Sequence, residues 1–154
     1  DKHGRDLFIR VIYGARISLT VGIAASIINL VVGVVYGGIS GYVGGRTDNL
    51  MMRIVDILYT IPLTLYVILL MVWLGAGMKS ILIAIGTTYW ISMARIVRGQ
   101  ILSLKEQEYV MAARTLGASD SRILFKHLVP NAMGPIIVTM TMSIPSAIFI
   151  IFPK

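Results

Sequence analysis

The segment ISLTVGIAASIINLVVGVVYGGISGYVGG, residues 17–45, contains no charged residue. A helix that crosses about 30 Å of hydrocarbon at 1.5 Å per residue needs roughly 20 apolar residues. This run is therefore long enough to span a membrane. It is too long for a cleaved signal peptide, and further apolar runs follow it.

Three more segments are apolar runs without a charged residue. Residues 57–78 and 132–153 are free of charge, and residues 80–94 form a shorter uncharged run. The short run reaches spanning length only if Arg95 and Arg98 extend toward the headgroups and the helix continues past them. We therefore predict four transmembrane helices, with approximate bounds 17–43, 55–76, 80–101 and 132–152.

The composition supports this prediction. Hydrophobic residues make up 56% of the chain and charged residues 14%, whereas ordinary soluble domains carry roughly 25% charged residues. So few charges could not cover a soluble core of this size, and a membrane is the expected solvent. We predict an all-α integral membrane protein.

The basic residues predict an orientation. The stretch from Arg95 to Asn131, from the end of the third predicted span to the start of the fourth, carries Arg95, Arg98, Lys105, Arg114, Arg122 and Lys126. Because short basic loops favour the cytosolic side, we place the loop 103–131 in the cytosol. Alternation then puts residues 44–53 in the cytosol as well, and residues 75–79 and 1–16 outside, although the basic residues of 1–16 oppose that side.

The sequence indicates no catalytic, metal or cofactor site. His3 and His127 lie in no H-E-x-x-H spacing, and the chain has no G-x-S-x-G elbow and no phosphate-binding loop. The chain contains no cysteine, which excludes disulfide and thiolate chemistry within it. The net charge of +7 is explained by anchoring and by attraction to anionic lipid, with no pattern typical of nucleic-acid binding.

Small and polar residues inside the spans predict helix contacts. Gly33, Gly37 and Gly41 recur at a four-residue spacing that favours close packing, although glycine is also common in membrane helices without such a contact. Asn29 is predicted to bond across to a neighbouring helix rather than to touch a solute.

Three further residues interrupt the apolar spans. Asp56 is predicted to pair with Arg53, three residues earlier on a helix, in preference to a role in transport. Pro62 and Pro145 are predicted to kink their helices, the alternative being that freed carbonyl groups line a cavity.

The loop 103–131 is a polar segment between apolar ones. Residues 105–116 favour a helix, which Gly117 can end in the left-handed conformation. Ser119 can cap a second helix with Asp120 in its first turn, and that helix is predicted to end before Pro130. Val110, Ala113 and Leu116 give the first helix an apolar face that fits a partner's groove, the alternative being a hairpin lying on the inner leaflet.

This segment resembles a known motif. Met111-Ala112-Ala113, Gly117 and Val129-Pro130 are similar to the E-A-A-x-x-x-G loop of permease subunits of ABC importers. Glu108-Tyr-Val-x-Ala-Ala-Arg-x-Leu-Gly-Ala-Ser and His127-x-Val-Pro-Asn look like the variant found in dipeptide, oligopeptide and nickel permeases. The resemblance extends over nearly the whole chain, through Gly4-Arg-Asp6, Tyr13-Gly-Ala-Arg-Ile-Ser-Leu19, Gly41-Tyr-x-Gly-Gly45, Asp48-x-x-x-Met-Arg53-x-x-Asp56 and Pro62.

The resemblance implies a fold and a set of partners. The fold is a type I, MetI-like permease bundle with a cytosolic helix-Gly-helix coupling loop, in the plasma or inner membrane. The partners are cytosolic ATP-binding subunits, a sister permease subunit, an extracytoplasmic solute-binding protein and membrane lipid. The residues implied to couple to the ATP-binding subunits are Tyr109, Ala112, Ala113, Arg114, Gly117 and Ala118.

The resemblance also leaves expectations to test. Family members usually have one more span before the G-R-D segment and another after the last span here, so the chain is expected to be a fragment, and a missing first span would explain the basic residues of 1–16. The implied function is ATP-driven import of peptides. The alternatives are a permease for nickel or another small solute, a non-transporting membrane scaffold whose basic loop binds lipid or a partner and, from a different class again, an intramembrane enzyme.

Overall fold

The computed structural model describes the backbone of residues 2–151 and the side chains of residues 8–16, 19–20, 22–77, 79–143 and 145. All secondary structure in this part of the chain is helical, as predicted. The elements are α1 (Lys2–Val43), α2 (Gly45–Thr60), α3 (Leu63–Leu74), α4 (Met78–Thr88), α5 (Trp90–Leu104), α6 (Glu108–Thr115), α7 (Asp120–Arg122), a π-helical segment (Ile123–Leu128), α8 (Val129–Asn131) and α9 (Met133–Ile151).

The α1–α5 contact is the most extensive in the fold, followed by the contact of α1 with α9. A Cβ atom added to Gly33 would lie 2.5 Å from the Met93 side chain, and one added to Gly41 would lie 2.8 Å from the carbonyl oxygen of Arg98. One added to Gly37 would overlap the backbone of Ala94. The predicted close-packing face is therefore confirmed, because the helix backbones meet where a side chain would keep them apart.

Among the residues that the structure describes, two helices are long and apolar enough to cross a membrane, Gly22–Val43 and Lys79–Leu104. The second combines α4 and α5, since Tyr89 between them keeps helical angles (φ −69°, ψ −30°). Two further spans exist if each of two bent pairs counts as one: Gly45–Thr60 with Leu63–Leu74, and Asp120–Asn131 with Met133–Ser143. The bounds and number of the spans remain predictions.

The first bent pair breaks at Pro62, as predicted. Ile61 is extended (φ −83°, ψ 119°), and the axes of α2 and α3 differ by 78°. Proline has no N–H to continue the helical ladder and disfavours helical geometry at the residue before it. At Pro145, by contrast, α9 continues through the proline.

The main hydrophobic cluster joins the bundle to the polar segment. Met93, Val97 and Ile101 of α5 contribute one side of it. The polar segment and the start of α9 contribute the other side, namely Val110, Ile123, Leu124, Leu128, Ala132 and Ile136. The polar segment is thus packed on the end of the bundle and is not a free loop.

Candidate functional site

The corner between α6 and α7 is a Schellman turn. The N–H of Gly117 donates to the carbonyl of Arg114 at 2.9 Å, and the N–H of Ala118 donates to that of Ala113 at 3.0 Å. Gly117 has φ +78°, in the left-handed region that glycine adopts without a steric cost. The predicted glycine corner is confirmed.

Of the two helix starts predicted in the polar segment, one is confirmed and the other is wrong. Ser119 caps α7 as predicted, since its Oγ accepts from the N–H of Arg122 at 3.4 Å. The predicted start of α6 at residue 105 is wrong, because α5 continues to Leu104 and its last turn takes Lys105, whose N–H donates to Ile101. Gln107 is extended, so α6 begins at residue 108.

The predicted end of the second helix before Pro130 is also wrong. Helical structure continues through a π-helical segment and α8 to Asn131, and Pro130 lies inside it. The N–H of Val129 bonds to Leu124, five residues back, so the wider π turn shifts the bonding pattern just before the proline. Leu128 is fully buried, and this packing holds the segment helical. The chain bends only afterwards, by 66°.

The outer face of α6 is apolar and exposed. Leu116 is 87% exposed and Tyr109 is 38% exposed. With Ala112, also exposed, they form a stripe at positions i, i+3 and i+7 of one helical face. Met111 beside this stripe is exposed as well, and so is Phe125 in the π-helical segment that follows the corner. These five residues, Tyr109, Met111, Ala112, Leu116 and Phe125, are called the outer face below.

The predicted partner-facing set Val110, Ala113 and Leu116 is therefore partly wrong. Val110 is fully buried in the main cluster, and Ala113 is half-buried against it. The prediction placed all three residues on one face, whereas Val110 and Ala113 pack toward the bundle and Leu116 faces outward. Of the six residues predicted for coupling, Tyr109, Ala112, Arg114 and Gly117 are exposed, while Ala113 and Ala118 are half-buried and pack on the cluster.

A polar contact ties the corner to α1. The hydroxyl of Tyr42, in the last turn of α1, donates to Oδ1 of Asp120 at 2.6 Å. The guanidinium of Arg114 lies 5.6 Å from the centre of the Tyr42 ring, within the range of a cation–π contact. One side chain of α1 therefore contacts α6, through Arg114, and α7, through Asp120.

A cluster of charges at the same end of the bundle was not predicted. Asp48 of α2 accepts from Nε and Nη2 of Arg98, each at 2.5 Å, and from the Ser40 hydroxyl at 2.6 Å. Lys105 donates to the carbonyl of Gly41 at 2.9 Å. These contacts bring residues 44–53 and the polar segment to the same end of the bundle. The predicted orientation, in which both segments lie on the cytosolic side, requires this arrangement.

Asp56 has a different partner from the predicted one. Its Oδ1 accepts from Nη2 of Arg95 at 2.7 Å, and the predicted pair with Arg53 is not formed. The Arg95 guanidinium also lies 4.5 Å from the centre of the Tyr59 ring. The choice follows from packing, because α5 places Arg95 beside α2.

A cavity of about 400 Å³ lies between α1, the α2–α3 break, the α4–α5 junction and α9. Its polar lining includes Asn29, Thr88, Ser92, Thr139 and Ser143. Asn29 is only 3% exposed, and its Oδ1 has no hydrogen-bond partner among the described residues. A buried acceptor left unpaired costs roughly 1–3 kcal/mol.

The prediction that Asn29 hydrogen-bonds to a neighbouring helix is therefore wrong for its side-chain oxygen, which accepts no such bond among the described residues. The nearby hydroxyls are used elsewhere: Ser26 and Ser143 bond to each other at 3.1 Å. Thr88 donates to the carbonyl of Ala84 within its own helix at 2.8 Å. The Ser26–Ser143 pairing joins residues 117 positions apart and could not be read from the sequence.

Comparison with known proteins gives a consistent result. Residues 33–152 match the family described as binding-protein-dependent transport system inner membrane component. The chain is 60% identical over 149 residues to the oligopeptide transport system permease protein OppC of Bacillus subtilis, covering 97% of this chain and 49% of that protein. It is 55% identical over 149 residues to the dipeptide transport system permease protein DppC of the same organism, covering 97% and 47%.

A relative from a different bacterium agrees. The oligopeptide transport system permease protein OppC of Escherichia coli K12 is 48% identical over 148 residues, covering 96% of this chain and 49% of that protein. The chain spans about half the length of the curated relatives it matches.

Proposed function

Because this chain belongs to the family of inner-membrane components of binding-protein-dependent transport systems, we propose that it forms part of the permease subunit of an ATP-driven peptide importer. The polar segment docks on a cytosolic ATP-binding subunit. The helices line part of the path that the solute follows, together with a sister permease subunit. An extracytoplasmic binding protein delivers the solute.

One observation carries the docking role, namely that the first helix of the polar segment and its end present apolar side chains both outward and toward the bundle. The outer face exposes Leu116 at 87% and Met111 at 59%, which is the surface of an amphipathic helix that lies in a partner's groove. The inner side buries Val110 and Ile123 in the same cluster as Met93, Val97 and Ile101 of α5.

This arrangement supports a mechanical role. Packed cores shift as units and do not deform continuously, so a displacement of α6 carries α5 with it. The Tyr42 contact couples the same displacement to α1. Closure of the ATP-binding subunits thereby switches the bundle between outward-facing and inward-facing states. The chain itself transmits work, and ATP hydrolysis takes place on the separate subunit.

Two observations favour peptides over other solutes. The three relatives described above are named as oligopeptide or dipeptide permeases. The described lining of the cavity also contains no charged side chain, histidine or cysteine. Nickel is bound by imidazole, thiolate and carboxylate ligands, so this lining does not suit the alternative solute.

The docking proposal can be tested with two glycines whose φ angles are both positive. Gly117 has φ +78° and Gly75 has φ +88°, and a Cβ added at either meets no atom within 4 Å. Gly75 also has an extended ψ of 157°, a combination that is essentially restricted to glycine, so Gly75→Trp imposes at least as much strain as Gly117→Trp. Only Gly117 lies beside the outer face. The full-length permease is expressed with its companion subunits, extracted in detergent and purified by a tag on the permease.

We expect the ATP-binding subunit to co-purify with the native protein and with Gly75→Trp, and to be lost from Gly117→Trp while the permease stays monodisperse. Retention by Gly117→Trp at native stoichiometry would show that the corner does not dock the ATP-binding subunit. Equal loss from both variants would mean that strain, and not contact, decides the result.

A further inference from the structure

We propose that the cavity beside Asn29 receives the transported peptide and that the side-chain amide of Asn29 hydrogen-bonds to the peptide backbone. This inference rests on the proposed import function and adds the residues that contact the solute. It starts from the buried Oδ1 of Asn29, which has no partner among the described residues. The amide lines the cavity and can present either its oxygen or its NH₂ group to a peptide backbone.

The backbone around the cavity provides a second, independent observation. Ile61 and Pro62 are not helical and line the cavity at the 78° bend between α2 and α3. Non-helical backbone within a membrane span is tolerated only where it is buried in protein or lines a polar cavity. The break therefore lies where a solute pathway would need it.

The size and chemistry of the cavity fit a short peptide. Its volume of about 400 Å³ lies within the roughly 300–1,000 Å³ of small-molecule sites. The lining combines aliphatic and aromatic side chains with a few hydroxyls and one amide. Such a wall hydrogen-bonds to a peptide backbone and accepts varied side chains, because it contains no charge to select among them.

The first test measures occupancy directly in the full-length permease with its companion subunits, reconstituted in liposomes. Ser92 is exposed and lines the cavity, so Ser92→Cys reports access to it. Thr87 is exposed on the same run of helix but does not line this cavity, so Thr87→Cys is the control. The chain has no native cysteine, and any elsewhere in the full-length protein are replaced by serine.

We expect trialanine at ten times its dissociation constant to slow maleimide labelling of Ser92→Cys roughly tenfold, with no effect on Thr87→Cys. If a preparation that imports trialanine with ATP shows no protection at Ser92→Cys, the cavity inference fails and the import function stands. If Ser92→Cys does not react at all, another segment fills the cavity and the inference also fails. If the native protein does not import trialanine, both proposals fall.

The second test replaces the side-chain amide. Asn29→Leu removes an unpaired buried polar group at similar volume, so a purely structural role predicts equal or greater thermal stability and unchanged uptake. A role in solute contact predicts that the KM for trialanine uptake rises about fivefold, the effect of one lost hydrogen bond. Thr87→Val serves as the control and should keep the native KM. A native KM in Asn29→Leu would overturn the role of Asn29.

Discussion

The α1–α5 contact and the Gly117 corner both depend on glycine, but for different physical reasons. At Gly37 a Cβ atom would overlap the backbone of Ala94, while the residue itself lies in a regular helix. At Gly117 a Cβ atom would meet no atom within 4 Å, but φ is +78°. Glycine is therefore needed at position 37 because the helix contact leaves no room for a side chain. It is needed at position 117 because other residues rarely adopt that backbone conformation.

This difference separates two roles. A contact that admits no extra methyl group makes α1 and α5 move as one body. An open corner with an exposed apolar face leaves room for another protein. The contrast indicates which part of the chain holds the bundle together and which part is available for the proposed docking.

The largest expected effect comes from adding volume to the helix contact. Gly37→Leu should destabilise the permease by at least about 3 kcal/mol, because the backbone of Ala94 cannot move aside as a side chain could. Gly99→Leu is the matched control, since Gly99 lies in α5 and a Cβ atom there meets nothing within 4 Å. Thermal unfolding of the full-length protein in detergent measures both. Equal midpoints for the two variants would contradict the close-packed contact.

A smaller effect is expected from the charge cluster. Arg98→Met leaves the Asp48 carboxylate unpaired, with only 8% of its side chain exposed. We expect a loss of about 2 kcal/mol, less than for a fully buried pair because the Arg98 side chain is 32% exposed. The double variant Asp48→Asn with Arg98→Met should recover part of the loss. A double variant less stable than Arg98→Met alone would show that the pair does not explain the effect.

The smallest effect concerns the link between the two regions. Tyr42→Phe removes the hydrogen bond to Asp120 but keeps the ring beside Arg114, and should loosen the corner by about 0.5 kcal/mol. Amide hydrogen exchange across residues 108–122 should then be about twofold faster. Tyr59→Phe, which removes a hydroxyl away from the corner, should leave that exchange unchanged. A similar increase in both variants would rule out a specific link through Tyr42.

Local features of this fold could be predicted from the sequence. The break at Pro62, the left-handed Gly117 and the Ser119 cap each depend on a few consecutive residues whose backbone preferences are known. The Gly33, Gly37 and Gly41 face was found from its spacing, which is also a property of one helix.

Features that depend on distant residues could not be predicted. Asp56 has Arg53 nearby in sequence, but packing brings Arg95 to it instead, and Asp48 meets Arg98 from 50 positions away. Periodicity placed Val110 and Leu116 on one apolar face of α6, but it could not show that the bundle covers Val110 and leaves Leu116 exposed. The unpaired oxygen of Asn29 depends on how helices distant in sequence pack around one cavity, so no local signal could reveal it.

The central claim is that docking at the corner changes the bundle, and the labelling rate of Ser92→Cys tests it most directly. The full-length complex is reconstituted with its ATP-binding subunits, and maleimide labelling is compared with and without a non-hydrolysable ATP analogue. We predict that the analogue changes the rate in the native Gly117 background and in Gly75→Trp, but not in Gly117→Trp. The same change in all three backgrounds would contradict transmission through the corner.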